Sequence, residues 1–99
     1  MKIDKEDIYQ VIYSVIDNNK ELIYNEKNID KNTVLYGDNS LFDSLGFINF
    51  IVAVEDEIFS NYNFKITLAD ERAMAEKNNP FGTVALLTEY ILKIVAEEK

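Results

Sequence analysis

The stretch DSLGFINFIVAVEDEIF occupies residues 43–59, and its reading decides the architecture. Asp43 is a good helix N-cap, because its carboxylate can accept a hydrogen bond from an amide of the first turn. Leu45, Ile48, Ile51, Val52 and Phe59 fall at helical spacing and are expected to face inward. Phe47, Phe50, Val54 and Ile58 make the same helix apolar on a second face, which predicts a place at the centre of a bundle. Glu55, Asp56 and Glu57 close the stretch with acids. Gly46 costs about 1 kcal/mol relative to Ala in a helix interior, and less in a first turn.

Outward from this helix the pattern stays helical. Asp4 is an N-cap, Asp7 completes a weak capping box, and Ile3 and Ile8 stand at the positions of a hydrophobic staple. Ile8, Val11, Ile12, Val15 and Ile16 then keep the helical period. Asp17, Asn18 and Asn19 end that helix, with a further turn open to Lys20–Tyr24. Residues 25–43 form a long connection, with a turn cluster at 36–40 and with Val34, Leu35 and Leu41 expected to pin it to the core. A short helix is expected from Thr67 to Lys77, stopped by Asn78, Asn79 and Pro80. Thr83 caps a last helix whose buried stripe is Val84, Leu87, Ile91 and Ile94. The prediction is an all-α fold in one domain, residues 1–99: an antiparallel bundle of four helices, three longer and one short.

Composition narrows the function. The chain has 99 residues, 47% of them hydrophobic, enough for one packed core. It has no Cys and no His, which excludes disulfides, thiolate and imidazole metal ligands, cysteine nucleophiles and every histidine base. Eighteen acidic residues against ten basic ones give a net charge of −8 at pH 7. Such a chain repels phosphate backbones and anionic membranes, so basic protein surfaces are the expected partners and nucleic acid is not. The longest wholly apolar run, Phe50–Val54, is far short of a membrane span, and the N-terminus lacks a leader's apolar segment. A cytoplasmic monomer is expected. No glycine-rich phosphate cradle occurs. Asp38, Ser40 and Phe42 fail the alternating ligand pattern of a calcium loop, and no metal site is expected. Carboxylates alone, in so small a bundle, do not assemble an acid–base pair, and no catalytic activity is expected.

That leaves Asp43-Ser44-Leu45. Ser44 stands in the first turn of a helix after a long loop, where its hydroxyl should be exposed. The first-turn amides are unpaired and the helix dipole is positive there, so a phosphate ester on Ser44 suits the position. An Asp-Ser pair also serves simply to cap a helix.

In its context, DSLGFINFIVAVEDEIF resembles the acyl carrier protein family: Asp-Ser-Leu, an apolar helix, then a cluster of acids. Phe64-Lys65-Ile66-Thr67 resembles the family's extended stretch before its third helix. Pro80-Phe81-Gly82-Thr83-Val84, with Leu87, Tyr90 and Ile91, resembles the start of its fourth. Thr33, Val34, Leu35, Tyr36 and Leu41 sit where its loop folds back. The resemblance implies an acyl-carrier-like bundle in which Ser44 carries 4′-phosphopantetheine derived from coenzyme A. A phosphopantetheinyl transferase would bind the acidic second helix and bring its own Mg²⁺. Ser44 Oγ would attack the β-phosphate of coenzyme A and release adenosine 3′,5′-bisphosphate. The arm would then hold an acyl group as a thioester, with the thiol supplied by the cofactor. Further partners would be an acyl-loading ligase or acyltransferase and the downstream enzymes of a specialised biosynthetic pathway.

Recognition is expected on the second helix. No Lys or Arg occurs from Asn32 through Asn63, so Asp38, Asp43, Glu55, Asp56 and Glu57 set a negative field with no base to offset it. Such a field speeds encounter with a basic partner more than it tightens the complex. Leu45 is an apolar partner contact, with partial core burial the alternative. Many fatty-acid carriers have an acid directly after Asp-Ser-Leu and another three residues later. Gly46 and Asn49 stand there in this chain, which favours a dedicated carrier over one serving the standard fatty-acid synthase. Phe47, Ile48, Ile51, Ile66, Met74 and Leu87 are candidates for an acyl channel between helices, against plain core packing. Two other readings stay open: an aminoacyl or D-alanyl carrier of the same fold, and an unmodified four-helix adaptor in which Ser44 is dispensable.

Overall fold

Asp4 and Asp7 cap each other's amides, each carboxylate accepting at 3.0 Å, and so start the first helix. Two first-turn donors are satisfied by this reciprocal pair. In the computed structural model, which describes residues 3–37, 39–68 and 80–97, this helix (α1) spans Lys5–Asn18. Ile8, Val11, Ile12, Val15 and Ile16 are buried as their spacing requires, and Tyr9 joins them. Ile3, nine-tenths buried, joins Ile8 in the core from the staple position. The Asn19 amide side chain donates to the Val15 carbonyl at 2.8 Å, and one 3-10 turn follows over Lys20–Leu22.

The second helix, α2, spans Ser44–Tyr62. It ends at Asn63, whose φ of 54° lies in the left-handed region that Asn tolerates better than most residues. Its inward face is Phe47, Phe50, Ile51, Val54 and Ile58. Of the five residues expected to face inward, only Ile51 does. Leu45, Ile48, Val52 and Phe59 are exposed. At 100° per residue the two apolar sets lie on opposite sides of the helix, so period alone allowed either to turn inward. Among the described helices the central place expected for α2 falls to α1, which packs against both others.

The last helix, α3, spans Val84–Glu97 and buries Val84, Leu87, Ile91 and Ile94 as expected. The Leu86 amide donates to Thr83 Oγ1 at 3.2 Å. The Val84 and Ala85 amides donate to the carbonyls of Thr33 and Lys31 at 3.1 and 2.9 Å. The long connection therefore satisfies donors that a helix start leaves open.

That connection is irregular but pinned. Ile23 pairs with Phe42, and Val34 with Thr83, as isolated antiparallel bridges; no strand forms among the described residues. Leu35 and Leu41 are fully buried, and Val34 is half-buried. The turn at 36–40 uses positive φ at Gly37 (119°) and Asn39 (59°). Glycine adopts such angles without steric cost. Phe42 stacks on Phe50 at 4.7 Å, and Phe81 meets Phe47 and Tyr90 edge-on at 5.4 and 6.5 Å. Each fully buried aliphatic or aromatic side chain contributes about 1.5–3 kcal/mol relative to exposure.

The described residues thus form three helices packed as a helical bundle. The radius of gyration, 12.6 Å, matches the roughly 13 Å of a folded chain of this length. Thr67 and Leu68 are non-helical, and the rest of the expected short helix, 69–77, lies outside the described residues. No helix among the described residues is long and apolar enough to cross a membrane.

Candidate functional site

Ser44 is the first residue of α2, placed there by the cap before it. Asp43 is extended (φ −80°, ψ −179°), and its carboxylate accepts from the Gly46 amide at 2.7 Å. The Asp43 carbonyl accepts from the Phe47 amide at 2.8 Å. Ser44 is exposed, and among the described residues no hydrogen bond engages its hydroxyl, its amide or the amide of Leu45. An exposed hydroxyl beside two open amides at a helix start is a suitable seat for a phosphate ester.

The fold explains why residue 46 is Gly. A Cβ there would lie 2.9 Å from the Leu22 carbonyl oxygen and 3.0 Å from Asp43 Oδ1. The 3-10 turn presses its backbone against the first turn of α2, so no acidic side chain fits at this position. The cause is a contact 24 residues upstream in sequence (46 − 22), beyond the reach of any local pattern.

The loop forms a trough of about 490 Å³ beside Ser44, lined by Tyr24, Asn25, Tyr36 and Asn39 among others. Its walls are held by the backbone. The amides of Tyr24 and Asn25 both donate to the Leu41 carbonyl, at 2.8 and 3.1 Å. The Asn25 side chain donates to the Ser40 carbonyl at 3.0 Å, and Ser40 Oγ donates to the Phe42 carbonyl at 2.7 Å. The Tyr36 ring lies 4.9 Å from that of Phe47. Lys27 Nζ donates to the Asn39 carbonyl. The expected field without a base is therefore corrected: residues 32–63 contain none, but the fold brings Lys27 to them.

The expected recognition residues separate. Leu45 is 70% exposed, which rules out core burial. Asp43 is exposed but committed to its cap. Asp56 is exposed. Glu55 is half-buried, with Oε2 accepting from the Leu68 amide at 2.7 Å, and so ties down the segment after α2. Glu57 Oε2 accepts from the Asn61 side chain at 3.3 Å. Asp38 lies outside the described residues. Leu45, Ile48, Val52, Asp56 and Phe59 fall within about 80° of one another around the helix and form one exposed strip. The sequence reading named Ile48, Val52 and Phe59 but turned them inward. The signal available was the polar pair Asn49 and Asp56, which share that side of α2.

Of the channel candidates, Phe47, Ile51, Ile66 and Leu87 are buried in the core, and Met74 lies outside the described residues. Ile48, 58% exposed, cannot line an interior channel. Among the described residues no cluster of acidic side chains could hold a metal ion. No protein family, curated protein or solved structure matches the chain.

Proposed function

We propose that this chain is a carrier protein, with 4′-phosphopantetheine joined to Ser44 Oγ. The carrying observation is the exposed, unengaged Ser44 at the head of a 19-residue helix, next to an exposed apolar strip that begins at Leu45. The residues suit the group: the open amides of Ser44 and Leu45 flank the seat of a phosphate, and the trough gives the arm room beside the helix. When bound, the group supplies a thiol that holds an acyl group as a thioester. The chain itself catalyses nothing. Asp43 orients the first turn, and Ser44 presents the attachment oxygen.

Partners dock on the strip of α2, a phosphopantetheinyl transferase first, then an acyl-loading ligase or acyltransferase and the downstream enzymes of a specialised pathway. Leu45, Ile48, Val52 and Phe59 offer them apolar contact, and Asp56 attracts their bases. In this reading a short helix within 69–77 completes an antiparallel, acyl-carrier-like four-helix bundle, and the protein works as a cytoplasmic monomer. The test is intact mass after incubation with coenzyme A and a broad-specificity transferase. One phosphopantetheinyl group is expected on the parent and none on Ser44→Ala. Modification at another residue, or none with several transferases, overturns the proposal.

A further inference from the structure

We infer that a cleft outside the bundle, between the end of α1 and the connection that follows, receives an uncharged aliphatic acyl group tethered to Ser44. The inference rests on the carrier reading above. The cleft has a volume of about 690 Å³, within the roughly 300–1,000 Å³ typical of small-molecule sites. Tyr13, Ile16, Ile23 and Ile29 make its apolar wall. Asp17, Lys20, Glu26 and Lys27 stand around it, two acids and two bases. Lys20 and Asp17 pair at 3.3 Å. The rim therefore has no net charge with which to hold an ionic cargo.

Two contacts join this cleft to the trough beside Ser44. Tyr24 lines both depressions. Lys27, on the cleft, donates to the carbonyl of Asn39, on the trough. The path out from Ser44 thus runs first past amides and phenols at Tyr24, Asn25, Tyr36 and Asn39, then onto isoleucines. A pantetheine arm has the same order: two amides, then an apolar acyl chain beyond the sulfur.

The distances permit it. Ile23 bridges Phe42 antiparallel, which puts their Cα atoms about 4.5–5.5 Å apart. Ser44 is two residues beyond Phe42, at most about 7 Å of extended chain. Ile23 and Ser44 are therefore within about 13 Å, Cα to Cα. An extended phosphopantetheine reaches about 16 Å from phosphorus to sulfur on ordinary bond lengths. Among the described residues, the interior beside Ser44 is filled by the Phe42–Phe50 stack and the Phe47–Phe81 contact.

The test uses the full chain and does not depend on any transferase. Ser44→Cys introduces the only thiol, since the chain has no Cys. That thiol is joined through a maleimide to a diamide spacer of pantetheine length, with or without an octanoyl end. Isoleucine methyl groups are then followed by NMR. The octanoyl conjugate is expected to shift Ile16, Ile23 and Ile29 and to give direct contacts with them, and the bare spacer is not. Ile29→Glu, and the milder change Tyr24→Asp at an exposed residue, are expected to abolish those contacts while helix content stays. Contacts with Ile51 or Ile91 instead, no contacts at all, or contacts that survive both changes would overturn the inference. Failure of the carrier reading appears separately, as an unmodified Ser44 in the mass experiment.

Discussion

The two faces of α2 carry the same kind of residue and meet different fates. Phe47, Phe50, Ile51, Val54 and Ile58 are buried, while Leu45, Ile48, Val52 and Phe59 on the opposite side are 49–70% exposed. Covering one such exposed side chain completely would contribute about 1.5–3 kcal/mol. Among the described residues, the bundle covers the side that meets α1, the 3-10 turn and the rings of Phe42 and Phe81. Apolar character therefore does not decide burial in this helix; the available neighbours do. This open strip, with Asp56 set into it, is the face on which the proposed partners would dock.

The largest expected effect tests that contrast directly. Ile51 and Ile48 are one helical turn apart, at 2% and 58% exposure. Ile51→Ala should cost about 2–5 kcal/mol as a core truncation. Ile48→Ala should stay within about 0.5 kcal/mol, as surface changes do. Urea denaturation of both variants measures the difference, and equal losses would erase the distinction between the faces.

Gly46 sharpens the comparison at the helix start, where α2 meets the 3-10 turn. Ala is the better helix former, by about 1 kcal/mol in a helix interior. Gly46→Ala should nevertheless destabilise by about 1–3 kcal/mol, because the new Cβ meets the Leu22 carbonyl and the backbone must shift. A variant more stable than the parent would show that this contact yields freely.

On the exposed side the expected change is in rate rather than stability. Asp56→Lys should slow loading by a transferase about three- to tenfold and flatten its salt dependence, with the thermal midpoint unchanged. Glu57→Lys, away from the strip, should do less. If both variants load at the parent rate at every salt concentration, the docking surface is not this face.

The smallest effect is expected at high pH. Burial, with nearby acidic groups, raises the phenol of Tyr13 above its ordinary value of 10.0, and the same causes raise Tyr62. The folded form then holds these protons more tightly than the unfolded form. Their contribution is complete below pH 10 and is lost as pH rises through the folded values. Replacing both by Phe should flatten the fall of stability above pH 10 in an alkaline titration of the melting temperature. An unchanged slope would place the alkaline loss in other groups.

Much of the molecule was legible because its signals are local. Asp4 and Asp7 are three residues apart, and their capping box forms in the structure as written. The stripes of α1 and α3 each have a polar side opposite, so the helical period had one solution for the core. Asp43 caps α2 through an amide three residues on, which places Ser44 at the helix head from sequence alone. The turn at 36–40 was visible in Gly37 and Asn39, which both adopt positive φ.

What the sequence determined by itself, then, was the three described helices, their starts, and the exposure of one serine at the head of α2. These follow from hydrogen bonds and periodicities that act within one or two turns. Tertiary structure decided which side of α2 turned inward, because two equivalent apolar stripes leave the choice to the neighbouring helix. It decided why residue 46 is Gly, through a Leu22 carbonyl that arrives from another element. It also decided the trough beside Ser44 and the approach of Lys27, both of which depend on Ile23 pairing with Phe42. Contacts between residues so far apart in sequence depend on the surfaces that other elements present, and no local pattern records those surfaces.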